Sequence, residues 1–100
     1  MLAITQTSFG SPDVLRAVEV DRPEPLPGDV LVRVRAIGVN PVEAFIRSGA
    51  YPLIGQPPFT LGWEVSGVVE HVVPGTHRLK AGDEVYGMPM FPRAANAYAE

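Results

Sequence analysis

Two glutamates could carry out acid-base chemistry. Glu43 and Glu64 are the acids flanked by apolar neighbours and by loop residues. Two carboxylates in different surroundings can divide the roles of general acid and general base. The alternative is structural, with Glu43 solvated on a helix face and Glu64 at a strand end, paired with an arginine. Composition alone favours this structural alternative.

The chain lacks the residues that thiolate, hydrolase and metal-dependent catalysis need. The chain has no cysteine, which removes disulfides, thiolate nucleophiles and thiolate metal ligands. Ser66 has no G-x-S-x-G turn around it, which argues against a hydrolase. His71 falls in a predicted strand and His77 in a predicted turn, and we expect both to be structural rather than metal ligands. No glycine-rich phosphate-binding pattern occurs, so the phosphates of a nucleotide would be held by residues outside the chain.

Size and charge narrow the range of partners. The chain has 100 residues, 46% apolar and 19% charged, which fits one globular domain. Its net charge of -3 offers no electrostatic basis for binding nucleic acid. No signal-like segment opens the chain, and no apolar run approaches the ~18 residues that span a bilayer. We therefore expect a soluble, cytoplasmic protein with no nucleic-acid or membrane partner.

The elements that must position the candidate residues are short. The 10 glycines and 11 prolines exceed average usage and argue against a fold of long helices. Alternation along 30–39 predicts a long half-buried strand, with Val30, Val32, Val34 and Ala36 on one face. Further short strands are predicted at 2–5, 14–20, 65–73 and 84–87.

One short helix is predicted after the long strand. Asn40 suits the N-cap, Pro41 the first helical position and Gly49 the stop, which leaves about two turns. Residues 51–61 are rich in proline and show no period, so we predict an irregular loop, where binding residues concentrate. The sum is a mainly β domain, barrel-like or sandwich-like, with one short helix.

Three segments, in order, give the chain a family resemblance. Residues 38–52 (GVNPVEAFIRSGAYP), 61–69 (LGWEVSGVV) and 81–88 (AGDEVYGM) resemble the amino-terminal catalytic domain of the medium-chain dehydrogenases/reductases. The zinc-independent quinone oxidoreductase branch is the closer match, and the resemblance runs over residues 1–100. It implies a GroES-like, partly open β-barrel, to which a full-length relative would add an α/β Rossmann domain.

The same resemblance argues against zinc. Zinc-dependent alcohol dehydrogenases hold the catalytic metal with a Cys before the helix and a His in a Gly-His-Glu motif. Those positions are Asn40 and Trp63 here. Neither an amide nor an indole is a strong zinc ligand, and the four-cysteine lobe for structural zinc is missing. We therefore expect no metal site.

The reaction that the resemblance implies is hydride transfer from NADPH to a quinone, an enone or a similar conjugated carbonyl. Asn40 would contact the nicotinamide or the substrate, or serve as a plain helix N-cap. Tyr51 would border the cleft and donate its hydroxyl to a substrate oxygen, or pack the loop onto the barrel. Phe45, where many relatives have Tyr, would be an apolar wall near the cofactor, although a core position is favoured. Trp63 would line the substrate cleft and stack on flat substrates, or be a buried structural residue.

Three charged residues are expected to support that site from behind. Glu64 matches the Glu of the family motif, which the resemblance places behind the active site. Arg47 is its expected ion-pair partner from charge complementarity, and Glu43 is expected beside them. NADPH rather than NADH, and a homodimer of the full-length protein, rest on the resemblance alone.

Two other functions stay open. The chain could be a stand-alone GroES-like interaction module without catalysis, or part of a 2-enoyl thioester reductase, since one scaffold serves several acceptors. Residues 97–100 have the pattern of the start of an element. We therefore expect residues 1–100 to be a domain that is incomplete at its carboxyl end, and to be inactive without a cofactor domain.

Overall fold

The described residues form β-strands and one short α-helix. The computed structural model describes residues 1–75 and 78–100. Within these residues the elements are β1 (Leu2–Gln6), a 3₁₀ turn (Pro12–Val14), β2 (Arg16–Glu19), β3 (Val30–Gly38), α1 (Pro41–Ser48), β4 (Phe59–Thr60), β5 (Glu64–Val72) and β6 (Glu84–Gly87). Thr76 and His77, and with them the turn predicted for His77, lie outside the described residues.

The described strands form two antiparallel sheets. The first has the order β2-β1-β4 and the second the order β3-β5-β6. A cleft of about 1430 Å³ lies between them and is lined by side chains of both sheets, among them Ala3, Val18, Val32 and Val85. The mainly β class with one short helix is therefore confirmed, and the gap between the sheets fits a partly open barrel.

The pairing of β3 with β5 is interrupted by an unpaired residue. Val34 pairs with Gly67 and Ala36 with Ser66, which leaves Arg35 without a partner in β5. An inserted residue turns the following side chains to the other face. Ala36 is consequently exposed, while Val34 is partly buried. The predicted alternation is therefore wrong for Ala36.

Four of the predicted strands differ from the observed ones by one or two residues at an end, and β4 is not predicted. β2 begins at Arg16 rather than at 14, because Pro12 starts a 3₁₀ turn in which the Leu15 N–H donates to the Pro12 carbonyl at 3.1 Å. The loop at 51–61 also contains β4, in which Phe59 and Thr60 pair with the end of β1. The 3₁₀ turn and the two-residue strand β4 are both too short to show a hydrophobic period in the sequence.

The segment 97–100 connects the two sheets. The Ile4 N–H donates to the Tyr98 carbonyl at 2.9 Å, and the Glu100 N–H donates to the Leu2 carbonyl at 3.2 Å. On its other side, the Glu100 carbonyl accepts from the Val34 N–H of β3 at 3.1 Å. The segment therefore continues the first sheet and fixes the position of Tyr98.

The apolar core lies beneath α1. Ile46 of the helix packs with Leu61 and Trp63 in a buried cluster, and partly buried apolar residues surround it: Leu15, Val42, Leu53, Ile54, Phe59, Ala95 and Tyr98. An eight-residue helix is too short to be stable alone, so this packing holds α1 in place. In the described part of the chain no helix has the length and apolar content that crossing a membrane requires.

Candidate functional site

The site is built at the start of α1, where Asn40 is the N-cap as predicted. The Glu43 carboxylate oxygen Oε2 accepts from the Asn40 backbone N–H, and the Glu43 N–H donates back to the Asn40 carbonyl at 3.1 Å. Pro41 occupies the first turn, and Gly49 ends the helix with a φ of 90°, a left-handed conformation that favours glycine. These local contacts fix the backbone of Asn40.

Glu43 is buried, which corrects the expectation that it is solvated on a helix face. Its exposed fraction is 2%. The Tyr98 hydroxyl donates to Glu43 Oε2 at 2.9 Å, so this one oxygen accepts from both Tyr98 and Asn40. Glu43 Oε1 has no hydrogen-bond partner among the described residues. A buried carboxylate is costly unless hydrogen-bonded, so its orientation depends on these two donors.

Tyr98 reaches Glu43 because a glycine lies under its ring. A Cβ at Gly62 would lie 2.5 Å from Cδ1 of the Tyr98 ring, and Gly62 also has a φ of 100°. The Tyr98 N–H donates to the Leu61 carbonyl at 2.9 Å, and the Ala97 N–H to the Gly62 carbonyl at 3.1 Å. Burial raises the pKa of Tyr98 well above 10. The hydrogen bond to Glu43 and the negative charge of Glu43 raise it further. The phenol is therefore held as a neutral donor.

Glu64 fixes the side chain of Asn40. Asn40 Nδ2 donates to Glu64 Oε2 at 2.9 Å. Gly38 pairs with Glu64 across β3 and β5, and a Cβ at Gly38 would lie 2.4 Å from Glu64 Oε2. The missing side chain at position 38 thus leaves room for the Glu64 carboxylate beside Asn40. Both candidate glutamates contact Asn40, one through its backbone and one through its amide.

Arg47 does not pair with Glu64, so the predicted ion pair is wrong. Arg47 Nε donates to the Gly10 carbonyl at 3.1 Å, and the Arg47 carbonyl accepts from the Gly10 N–H at 3.1 Å. The buried Gln6 donates its Nε2 to the same Arg47 carbonyl at 3.1 Å. Arg47 therefore ties the end of α1 to the loop after β1, on a turn of the helix remote from its N-cap.

Phe45 on α1 and Tyr51 in the loop after it present two exposed rings, the aromatic surface. Their exposed fractions are 57% and 49%, so the favoured core position of Phe45 is wrong. The Tyr51 N–H donates to the Phe45 carbonyl at 3.3 Å, which makes the two residues neighbours. Asn40 is partly exposed at the start of the same helix. These three residues are the candidate contacts for a ligand.

Trp63 is a core residue in this structure rather than the wall of an open cleft. It is 2% exposed, and its indole N–H donates to the Arg93 carbonyl. Its ring meets that of Phe91 edge-on, with 5.5 Å between the centroids. A buried indole offers no face on which a flat substrate could stack. The surroundings of Trp63 therefore agree with the alternative prediction, that it is a buried structural residue.

Sequence reasoning missed Tyr98, Gly62 and Gly38. Tyr98 is 55 residues from Glu43, and no local period relates the two. The glycines lie inside the segments 38–52 and 61–69, but their role depends on side chains from other elements. Among the residues described, no three His, Cys, Asp or Glu side chains cluster as a metal site would require.

Several proteins of known family are similar to this chain in sequence and in fold. The model of the alcohol dehydrogenase GroES-like domain matches residues 26–99. The quinone oxidoreductase of Rattus norvegicus is 42% identical over 101 residues, which cover 100% of this chain and 30% of that protein.

Solved structures give the same result. The quinone oxidoreductase from Coxiella burnetii is 31% identical with a TM-score of 0.87, over 98% of this chain and 33% of that one. The Escherichia coli quinone oxidoreductase complexed with NADPH is 38% identical with a TM-score of 0.80, over 86% of this chain and 26% of that one. The chain spans about a third or less of the length of these relatives.

Proposed function

Because the chain belongs to the alcohol dehydrogenase GroES-like domain family, we propose that it is the catalytic-domain portion of a zinc-independent, NADPH-dependent oxidoreductase. Its substrates are quinones, enones or similar conjugated carbonyls. The observation that carries the proposal is Asn40, whose backbone N–H is held by Glu43 and whose amide is held by Glu64, at the start of the helix that also carries the exposed Phe45. The likeness to an NADPH-bound quinone oxidoreductase supports it.

The residues present fit the nicotinamide end of the cofactor. An amide has donors and an acceptor and can match a carboxamide group, and Glu64 occupies one donor of Asn40 and thereby orients the rest. Phe45 and Tyr51 add apolar surface on which a flat ring can pack. No phosphate-binding glycine pattern occurs in the chain, so the cofactor's phosphates would be held outside these 100 residues.

Catalysis by this portion is a matter of positioning. NADPH, when bound, supplies the hydride. Asn40 orients the nicotinamide or the acceptor, the aromatic surface excludes water, and the Tyr51 hydroxyl donates a hydrogen bond to the acceptor oxygen as negative charge develops there. Tyr51 is exposed, and its hydroxyl is free to turn toward a ligand on that surface.

Zinc independence is proposed from the types of the residues. The chain has no cysteine, and the positions that hold zinc in the metal-dependent branch are Asn40 and Trp63. The amide of Asn40 is bonded to Glu64, and the indole N–H of Trp63 to a carbonyl. Both side chains therefore have a structural partner and are poor ligands for zinc. The homodimer and the preference for NADPH over NADH are parts of the same proposal.

The test is an assay of the complete polypeptide that the gene encodes. NADPH oxidation is measured with a benzoquinone, a simple enone and a 2-enoyl thioester, with and without a zinc chelator. We expect turnover of the quinone or enone that the chelator leaves unchanged. Turnover of the thioester alone would identify the acyl-type reductase, and no turnover of any acceptor would favour the interaction module.

Asn40→Ser tests the residue that the proposal depends on. Serine is also a good N-cap, so α1 should keep its stability while the amide is lost. We expect kcat to fall on the order of 10- to 100-fold with little change in the midpoint of urea unfolding. Unchanged kcat in the folded variant would contradict the role of Asn40.

A further inference from the structure

We propose that Tyr98 is a positioning residue for Asn40, an inference that rests on the function proposed above. Its hydroxyl holds the Glu43 carboxylate, and that carboxylate holds the Asn40 backbone N–H. Tyr98 would never touch the substrate or the cofactor. Tyr98 affects turnover through Glu43, which positions Asn40, and the Asn40 amide is the group that contacts the substrate or the cofactor.

The geometry makes Glu43 dependent on Tyr98. A single carboxylate oxygen, Oε2, accepts from both the Tyr98 hydroxyl and the Asn40 N–H, while Oε1 has no partner among the described residues. A buried carboxylate without its donor turns toward any other donor or water that it can reach. Loss of the Tyr98 hydroxyl therefore leaves one bond to hold Glu43, and that bond is the one to Asn40.

The phenol is delivered by a rigid support. The backbone bonds of Ala97 and Tyr98 to Gly62 and Leu61 fix the segment, and the ring lies directly on the Gly62 backbone. The ring also packs against the core cluster beneath α1. The hydroxyl explains why position 98 is a tyrosine, because a phenylalanine would fill the same space but could not donate a hydrogen bond to Glu43.

Asn40 needs both of its anchors to present the amide in one orientation. Glu64 holds the side chain from β5, and Glu43 holds the backbone from within α1. If the backbone of Asn40 shifts, the amide moves relative to the Glu64 carboxylate and to the exposed rings. Shifts well below 1 Å are enough to lower the rate of a reaction that depends on alignment.

The experiment is a double-mutant cycle in the complete polypeptide. Tyr98→Phe removes the hydroxyl and keeps the ring on Gly62, and Asn40→Ser removes the amide. We expect Tyr98→Phe to lower kcat about tenfold in the wild-type background and less than about twofold in the Asn40→Ser background. Tyr86→Phe is the matched control, because Tyr86 is 91% exposed and the change removes the same atom.

Three outcomes overturn the inference, and two of them leave the proposed role of Asn40 untouched. Equal losses in both backgrounds would mean that Tyr98 acts on the fold as a whole, and no loss in the wild-type background would mean that Asn40 does not depend on it. A third outcome, normal kcat for Asn40→Ser itself, overturns the proposed role of Asn40 together with this inference. That outcome is read from a different variant, so the two failures are distinguishable.

A second variant covers the case in which Tyr98→Phe does not fold. Glu43→Asp keeps the charge but shortens the side chain by one methylene, so it cannot reach both Tyr98 and Asn40. We expect the same loss of kcat in the wild-type background and the same near absence of loss in the Asn40→Ser background. Equal losses in the two backgrounds would again overturn the inference.

Discussion

At the scale of single residues, the contacts around Asn40 depend on two positions that have no side chain. Gly38 leaves room for the Glu64 carboxylate, and Gly62 leaves room for the Tyr98 ring. Both glycines act through close approach of a side chain to the backbone, which is one of the uses of glycine. The geometry of the candidate site is therefore set as much by two glycines as by the polar groups present.

Gly38→Ala should uncouple Asn40 from Glu64. The added Cβ would lie 2.4 Å from Glu64 Oε2 and 2.8 Å from its Cγ, so the Glu64 side chain must move away. That side chain is flexible, and we expect a stability loss of no more than about 1 kcal/mol by urea unfolding but a clear fall in kcat. Gly87→Ala is the control, because a Cβ at Gly87 meets nothing within 4 Å. Equal kinetics for the two variants would contradict the role of Gly38.

Tyr98 should also make stability sensitive to alkaline pH. Burial and Glu43 raise the pKa of Tyr98 in the folded state above the ordinary value of 10.0. The stability that the neutral phenol contributes is fully present below pH 10 and is lost as the pH rises further, because only the unfolded chain ionises readily there. We expect Tyr98→Phe to flatten the fall of the unfolding free energy above pH 10.

The measurement is urea unfolding of the complete polypeptide between pH 7 and pH 11.5. Tyr86→Phe should keep the pH dependence of the wild type, since that side chain is almost fully exposed. Parallel loss of stability in the wild type and in Tyr98→Phe above pH 10 would show that the Tyr98 hydroxyl is not coupled to folding.

At the scale of elements, the segment 61–64 joins the core to the site. Leu61 and Trp63 face the core beneath α1, while Gly62 supports Tyr98 and Glu64 reaches Asn40. Gly62, with a φ of 100°, turns the chain between the two core residues and leaves room there for the Tyr98 ring. A mutation of the core residues should therefore act on stability, and a mutation of the others on turnover.

Trp63 tests this division. Trp63→Ala should lower the unfolding free energy by about 3–5 kcal/mol, because a large buried ring is lost. Trp63→Phe should lose less and keep kcat and KM for the quinone within about twofold once folded. Truncating the exposed ring in Tyr86→Ala should cost less than about 0.5 kcal/mol. A raised KM for quinone in folded Trp63→Phe would instead indicate that the indole contacts substrate.

At the scale of the whole molecule, the proposed function assigns one side of a reaction site to residues 1–100. The chain spans about a third or less of the length of the relatives it matches, its sequence contains no glycine-rich phosphate-binding pattern, and its net charge of -3 does not favour an anionic cofactor. We expect residues 1–100 alone to show neither NADPH oxidation with a quinone nor NADPH binding by calorimetry. Measurable turnover by these 100 residues would refute the need for a cofactor domain.

Much of the architecture was predictable because it depends on local rules. Residue preferences at helix ends predict where α1 begins and ends. β6 is predicted because a turn precedes its short run of residues. The errors lie where the rules need non-local information. Ala36 changed face because of an unpaired Arg35, and β4 is too short to have a period.

The site divides in the same way. The sequence by itself determined the class of fold, the family, the absence of thiolate ligands and the N-cap position of Asn40, because motifs and residue types are local properties. Only the tertiary structure decided that Glu43 is buried, that Arg47 turns away from Glu64, and that Tyr98 completes the contact with Glu43. These facts depend on distances between residues far apart in the chain, and such distances are set by packing rather than by spacing.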